Sequence, residues 1–258
     1  MNDKLLVLEY LRNGSVSELN LCWADLKGMY LSNANLAGVN LSYADLTGAN
    51  LNGANLKGAI LIGAKLTGVQ INNADFSYAD LSGADFSEAQ AHNAKFIKSK
   101  MLDVKFYKSN LKQANFIEAN LIGANFVCAI LTGANMPYAD LSYADLSSAN
   151  LSSSNFHCCY LEEVTLTSAN MSGADFTNVD MQEANLLNAD LTNTDFTDAN
   201  LCGSNLNNST RMNTNFKNAN LKGVTRQDSN DYILGPKDVF LLNMKQIKPK
   251  YIQLNSIG

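Results

Sequence analysis

Residues 49–66 read ANLNGANLKGAILIGAKL. Leucine recurs at Leu51, Leu56, Leu61 and Leu66, and alanine stands two places before each of them. A helix repeats every 3.6 residues and a strand every 2, so a period of five belongs to neither. Taking the large apolar residue as the centre of a unit, the phase runs from Leu21 to Leu221 without insertion or deletion, 41 centres in all. Leu, Phe, Met or Ile fills 39 of them, Ala91 and Arg211 being the exceptions. Alanine precedes the centre by two places 26 times, and Asn or Asp precedes it by one place 29 times. The unit is A-[DN]-L-x-x, and a phase held this long identifies a repeat architecture.

Over residues 19–225 the unit resembles that of the pentapeptide repeat family. The resemblance implies an all-β fold: a right-handed quadrilateral parallel β-helix with four pentapeptides per coil, the centre and the small residue pointing inward. Phenylalanine offers an independent check. It fills centres 76, 96, 116, 156, 176, 196 and 216, all spaced by multiples of 20, and Met136 occupies the gap. A coil of 20 residues stacks these rings into a ladder, whereas coils of 15 or 25 residues do not. A narrow, densely packed interior explains the small partner of each centre. Asn and Asp suit tight corners through local side-chain to backbone bonds. Glycine at 48, 53, 58, 63 and 68 fits corners as well.

Forty-one units make about ten coils, a rod on the order of 50 Å long at a spacing of about 4.8 Å. Such a rod exposes core and strand edges at both ends and needs caps. Residues 1–18 are read as an N-terminal capping helix and lead-in, with DKLLVLEYLR (3–12) amphipathic and Leu5, Leu8 and Leu11 covering the first coil. Residues 226–258 are read as a C-terminal helical cap and tail. Pro236 opens PKDVFLLNMKQI, with Val239, Phe240, Leu242 and Met244 as its buried positions. The tail KPKYIQLNSIG reads as strand or disorder.

The net charge of −5 argues against a general binder of nucleic acid or acidic membranes. The five cysteines, Cys22, Cys128, Cys158, Cys159 and Cys202, lack paired spacing and suggest free thiols in a reducing compartment. No signal peptide or membrane span is expected, and the reading is cytoplasmic. No catalytic, cofactor or metal residue is assigned. His92 and His157 lie 65 residues apart, more than three coils, and cannot share a small site. Most aspartates stand where asparagine serves as often, which suits a corner residue better than an acid or base. The Cys158-Cys159 pair is read as structural.

Two surface features remain. Between Gln113 and Thr210 there is no Lys or Arg but 11 acids. Asp140, Glu162, Glu163, Asp180 and Glu183 fall on one side of the coil, and Glu118, Asp175, Asp195 and Asp198 fall on the neighbouring Phe-ladder side. The family resemblance implies a comparison here, because the family includes rod-shaped DNA mimics that protect or inhibit type II topoisomerases. Five coils of duplex length would show about 14 charges, close to 11, yet residues 21–225 carry 18 acids and 12 bases where DNA would show roughly 30 net charges. The second feature is where the repeat lapses. Lys95, Lys100 and Lys105 replace Asx, Lys98, Lys108 and Lys112 lie among them, and Ile97, Leu102, Ile117 and Ile122 appear at outward positions. Apolar side chains beside charge suggest a partner patch. The expectation is a non-enzymatic protein-interaction scaffold with a partner of unknown identity, no direct nucleic acid and no membrane, as a monomer or a C-terminally mediated homodimer. The alternative is a DNA-mimic modulator of a type II topoisomerase.

Overall fold

The computed structural model describes Val7 and residues 20–227. The proposed C-terminal helix lies outside the described residues, as do Leu5, Leu8 and Leu11 of the proposed N-terminal helix. Val7 has a helical backbone and is buried with the core. From residue 20 to residue 225 the chain is one repeat β-helix. Parallel bridges join each Asx position to its equivalent 20 residues on, from Asn20↔Asn40 to Asn205↔Thr225. Each coil is therefore four pentapeptides. We number the four columns by their first centres: column 1 from Leu21, column 2 from Leu26, column 3 from Leu31 and column 4 from Leu36. Columns 4 and 1 are neighbours, because column 4 runs on into column 1 of the next coil.

The unit can be read as a solution to pairing its five amides. Around Leu41, the centre amide reaches the Ile60 carbonyl at 2.7 Å and the amide two places on, of Tyr43, reaches Ile62 at 2.8 Å. The Ala44 amide turns back to the Leu41 carbonyl at 3.0 Å, and the Asp45 amide reaches the previous coil at Ala24, 2.9 Å away. That leaves one amide, Ser42 N–H, which donates to the Asn40 side-chain oxygen at 3.0 Å. The same Asx bond recurs along the rod, as at Asp75–Ser77, Asn115–Ile117 and Asp195–Thr197. The frequent Asx residue is thus the acceptor for the one amide the backbone cannot serve.

The turn that follows each centre demands a left-handed residue two places after it. Every such position from Trp23 to Gly223 has positive φ, 28 non-glycine residues and 13 glycines. This strain, about 1–2 kcal/mol for a residue with a Cβ, explains why glycine and asparagine recur there. It also means that tyrosine, glutamate, lysine or cysteine at this position costs stability.

The core runs along the axis. Between Leu36 and Leu206 every centre and every small partner is at most 2% exposed. Where the small partner is polar it is satisfied: Ser99 and Ser109 donate to the carbonyls of Phe96 and Phe106, and Cys159 to that of Met136. The column 4 phenylalanines stack coil on coil, Phe76 on Phe96 at 5.3 Å and Phe96 on Phe116 at 4.9 Å. A second ladder, Phe86, Phe106 and Phe126, rises in column 2 with spacings of 5.1 and 5.2 Å. The two ladders meet edge-on across the interior, as at Phe86–Phe96 and Phe106–Phe116, 6.1 and 6.0 Å apart. Ala91, between Phe86 and Phe96 in sequence, is fully buried. Its small size compensates for rings entering from two columns, since close-packed interiors conserve volume. The interior opens at the last described coil, where Phe216, Ala219, Leu221 and Val224 are only partly buried.

Candidate interaction surface

Three residues of each unit face outward: the Asx position, and the two that follow the centre. Of the 11 exposed large apolar or aromatic residues among those described, seven belong to columns 4 and 1: Tyr78 and Tyr138, then Trp23, Tyr43, Ile60, Tyr143 and Tyr160. Sequence reading did not collect these tyrosines, although their places in the five-residue frame assign each of them to a column. Trp23 stacks on Tyr43 with ring centroids 4.5 Å apart, and Tyr43 in turn lies over Gly63.

The candidate partner patch falls partly on these columns. Ile97 and Ile117 stand one coil apart in column 4, and Leu102 and Ile122 one coil apart in column 1, all half-buried. Lys95, Lys98 and Lys100 share their columns. Lys98 pairs with Glu118 at 3.1 Å and Lys100 with Asp80 at 3.2 Å, so the four apolar side chains are edged by ion pairs. Lys105 and Lys108 lie in column 2 and Lys112 in column 3, so the lysines form a belt around the rod rather than one patch. The amides of Ile97, Leu102 and Tyr107 follow lysines and make no Asx bond among the described residues.

The candidate acidic surface divides by geometry. Asp140, Asp175, Asp180 and Asp195 are half-buried at Asx positions. Asp140 accepts the Ser142 amide and hydroxyl, Asp175 the Thr177 amide, and Asp195 the Thr197 amide and hydroxyl. Asp180 accepts from the side chains of Gln182 and Asn200. These four carboxylates are engaged in holding the coil. Glu162, Glu163, Glu183 and Asp198 are exposed; Asp198 accepts from the Asn218 side chain at 3.0 Å and Glu183 lies over Gly203, each contact one coil on. Their field is visible at Tyr143, whose phenol is raised above its ordinary value first by Glu162, then by Glu163.

The Asx role of the carboxylates is also visible in their protonation. Burial pushes the carboxyls of Asp75 and Asp80 up. The hydroxyls and amides of Ser77 and Ser82, with Lys57 and Lys100, outweigh it and hold both below the usual carboxylate value. Among the described residues no three His, Cys, Asp or Glu side chains gather as a metal set would. No helix of the described residues is long and apolar enough to cross a membrane. All five cysteines are free, with Cys159 buried and Cys128 exposed.

A family model described as "Pentapeptide repeats (8 copies)" matches in overlapping stretches from residue 17 to residue 225. Among solved structures, HetL, a pentapeptide repeat protein involved in heterocyst differentiation regulation from the cyanobacterium Nostoc sp. strain PCC 7120, is 29% identical, with a TM-score of 0.68 over 87% of this chain and 97% of HetL. QnrB1, a plasmid-mediated fluoroquinolone resistance protein, is 25% identical in a trypsin-treated form, with a TM-score of 0.48 over 69% of this chain and 89% of QnrB1. Among curated proteins none matches the sequence. The period of five, the 20-residue coil and the family match agree, and the chain belongs to the pentapeptide repeat family.

Proposed function

We propose that this protein is a non-enzymatic scaffold that binds a protein partner through columns 4 and 1. One observation carries the reading: these neighbouring columns hold seven of the 11 exposed large apolar or aromatic side chains and the Ile97, Leu102, Ile117 and Ile122 cluster. The exposed Glu162, Glu163 and Glu183 continue the strip, so the fitting partner presents apolar side chains beside basic ones. HetL, by its description, takes part in regulation, which is compatible with action by contact. The finer shape belongs to the same reading: a right-handed, quadrilateral coil of about ten turns, capped by helices at both ends and acting in the cytoplasm as a monomer or C-terminal homodimer.

The test is capture of partners from the native cell by the wild type and by a variant with Ile97, Leu102, Ile117 and Ile122 all changed to Ser. Loss of specific partners in the variant supports the surface; an unchanged set removes it. The second reading, a DNA mimic acting on a type II topoisomerase, is favoured by the absence of Lys and Arg between Gln113 and Thr210. Against it stand the lysine belt, the turn-capping role of Asp140, Asp175 and Asp195, and the engagement of Asp180 by the Gln182 and Asn200 side chains. A gyrase supercoiling assay with micromolar protein decides: no inhibition and no protection from a quinolone eliminates it.

A further inference from the structure

The chain has two histidines and one pair of adjacent cysteines, and one histidine stands beside that pair in the run Phe156-His157-Cys158-Cys159. His157 and Cys158 are the two outward residues after the centre Phe156, both partly exposed. Cys158 Sγ lies 3.2 Å from His157 Nε2. The other ring nitrogen, Nδ1, lies 2.7 Å from the hydroxyl of Thr177, directly one coil on. Tyr138, from the coil before, meets the imidazole edge-on at 6.0 Å. The ring is therefore held from both neighbouring coils with one nitrogen aimed at a thiol. The Thr177 hydroxyl is turned toward His157, whereas the equivalent Thr197 hydroxyl donates to its own Asp195 at 2.6 Å.

We propose that Cys158 is a reactive thiol and a site of reversible oxidation by a neutral hydroperoxide, with His157 as its base and Thr177 as the group that positions the base. With Nδ1–H donating to the Thr177 hydroxyl oxygen, Nε2 has its lone pair free for the thiol proton. In the step, Nε2 takes that proton and Sγ attacks one peroxide oxygen. The S–O bond forms as the O–O bond breaks, and the departing hydroxide or alkoxide takes the imidazolium proton and leaves as water or alcohol. Sulfur becomes a sulfenic acid and the hydroperoxide is reduced to water or an alcohol. The choice of oxidant follows from charge. The site sits within the stretch from Gln113 to Thr210, which has 11 acids and no Lys or Arg, so an anionic reagent is repelled and a neutral one is not.

The neighbouring Cys159 does not compete. It occupies the inward small position, donates to the Met136 carbonyl at 2.9 Å, and is pushed far up by burial. Cys158, with φ of 58°, turns outward. The two sulfurs point to opposite sides of the wall, so an external thiol rather than Cys159 condenses with the sulfenic acid to a mixed disulfide and water, and a second external thiol displaces Cys158 as the thiol, leaving the external pair as a disulfide.

The experiment treats the full chain with hydrogen peroxide beside a sulfenic-acid trap and maps the five cysteines by mass spectrometry. The expected result is trapping at Cys158 ahead of Cys22, Cys128 and Cys202, with Cys159 unlabelled. His157→Gln slows trapping at Cys158 by at least about tenfold and leaves Cys22 and Cys202 unchanged. Thr177→Val, which keeps the shape and removes the hydroxyl, slows it as well. Cysteines are compared within one molecule, and labelling of buried Cys159 exposes any variant that has lost its fold. Equal rates at Cys158 and Cys202, or a His157→Gln variant as fast as wild type, overturn the proposal.

Discussion

Phe86 meets Phe96 edge-on, with ring centroids 6.1 Å apart and planes at 84°. The rings come from different columns, and the centre between them in sequence is Ala91. Restoring the repeat with Ala91→Leu should therefore overpack the interior and lower stability by about 1–3 kcal/mol. A lower urea midpoint for the variant is the expected outcome. If Ala91 were only a degenerate centre, the larger side chain would raise it.

Lys105 is followed by the Tyr107 amide, whereas Asn125, one coil on, accepts the Val127 amide at 3.0 Å. Lys105→Asn should supply the missing acceptor and stabilise the rod by about 0.5–1 kcal/mol. The reverse change, Asn125→Lys, should cost a similar amount. Thermal unfolding of both variants followed by circular dichroism checks the pair of signs.

Gly63 has φ of 61°, and a Cβ built there would meet Tyr43 Cε1 at 2.7 Å. Gly63→Ala should cost about 1–2 kcal/mol for the left-handed backbone and also lift Tyr43 from its seat. Trp23, the sole tryptophan, stacks on Tyr43 and reports that movement. A changed Trp23 emission spectrum in the folded variant is expected, with Gly68→Ala, whose site is open, leaving emission as it is.

Acid should loosen the coil through the Asx carboxylates. Asp45, Asp75 and Asp80 are held below 3.8 in the folded chain by bonds from Thr47, Ser77 and Ser82 and by lysines, despite burial. A depressed folded value contributes stability that is complete above the unfolded value and is lost as pH falls through the folded one. Urea midpoints should therefore be flat near about pH 6 and fall below about pH 4. Asp75→Asn retains an acceptor for the Ser77 amide and should flatten part of that fall.

Much of this protein was legible in its sequence because the repeat is local and strictly phased. The inward centre and small partner follow from the resemblance to the pentapeptide repeat family, while the period of five and the 20-residue coil implied by Phe76, Phe96 and Phe116 follow from counting. So does the assignment of Asp140 or Glu162 to a side. What the sequence by itself determined is therefore which column every residue occupies and whether it faces in or out.

Tertiary structure decided what each residue does there. That Asp180 accepts from Asn200 and Asp198 from Asn218, each one coil on, is a pairing the five-residue unit does not specify. That Ala91 is a fitted residue depends on rings from two columns crossing the interior. That His157 faces Cys158 depends on Thr177, a full coil away. The physical reason is common to all three: side chains that meet in the folded coil come from different units, such as Asp180 and Asn200, Phe86 and Phe96, or His157 and Thr177, so local pattern sets position while stacking sets role.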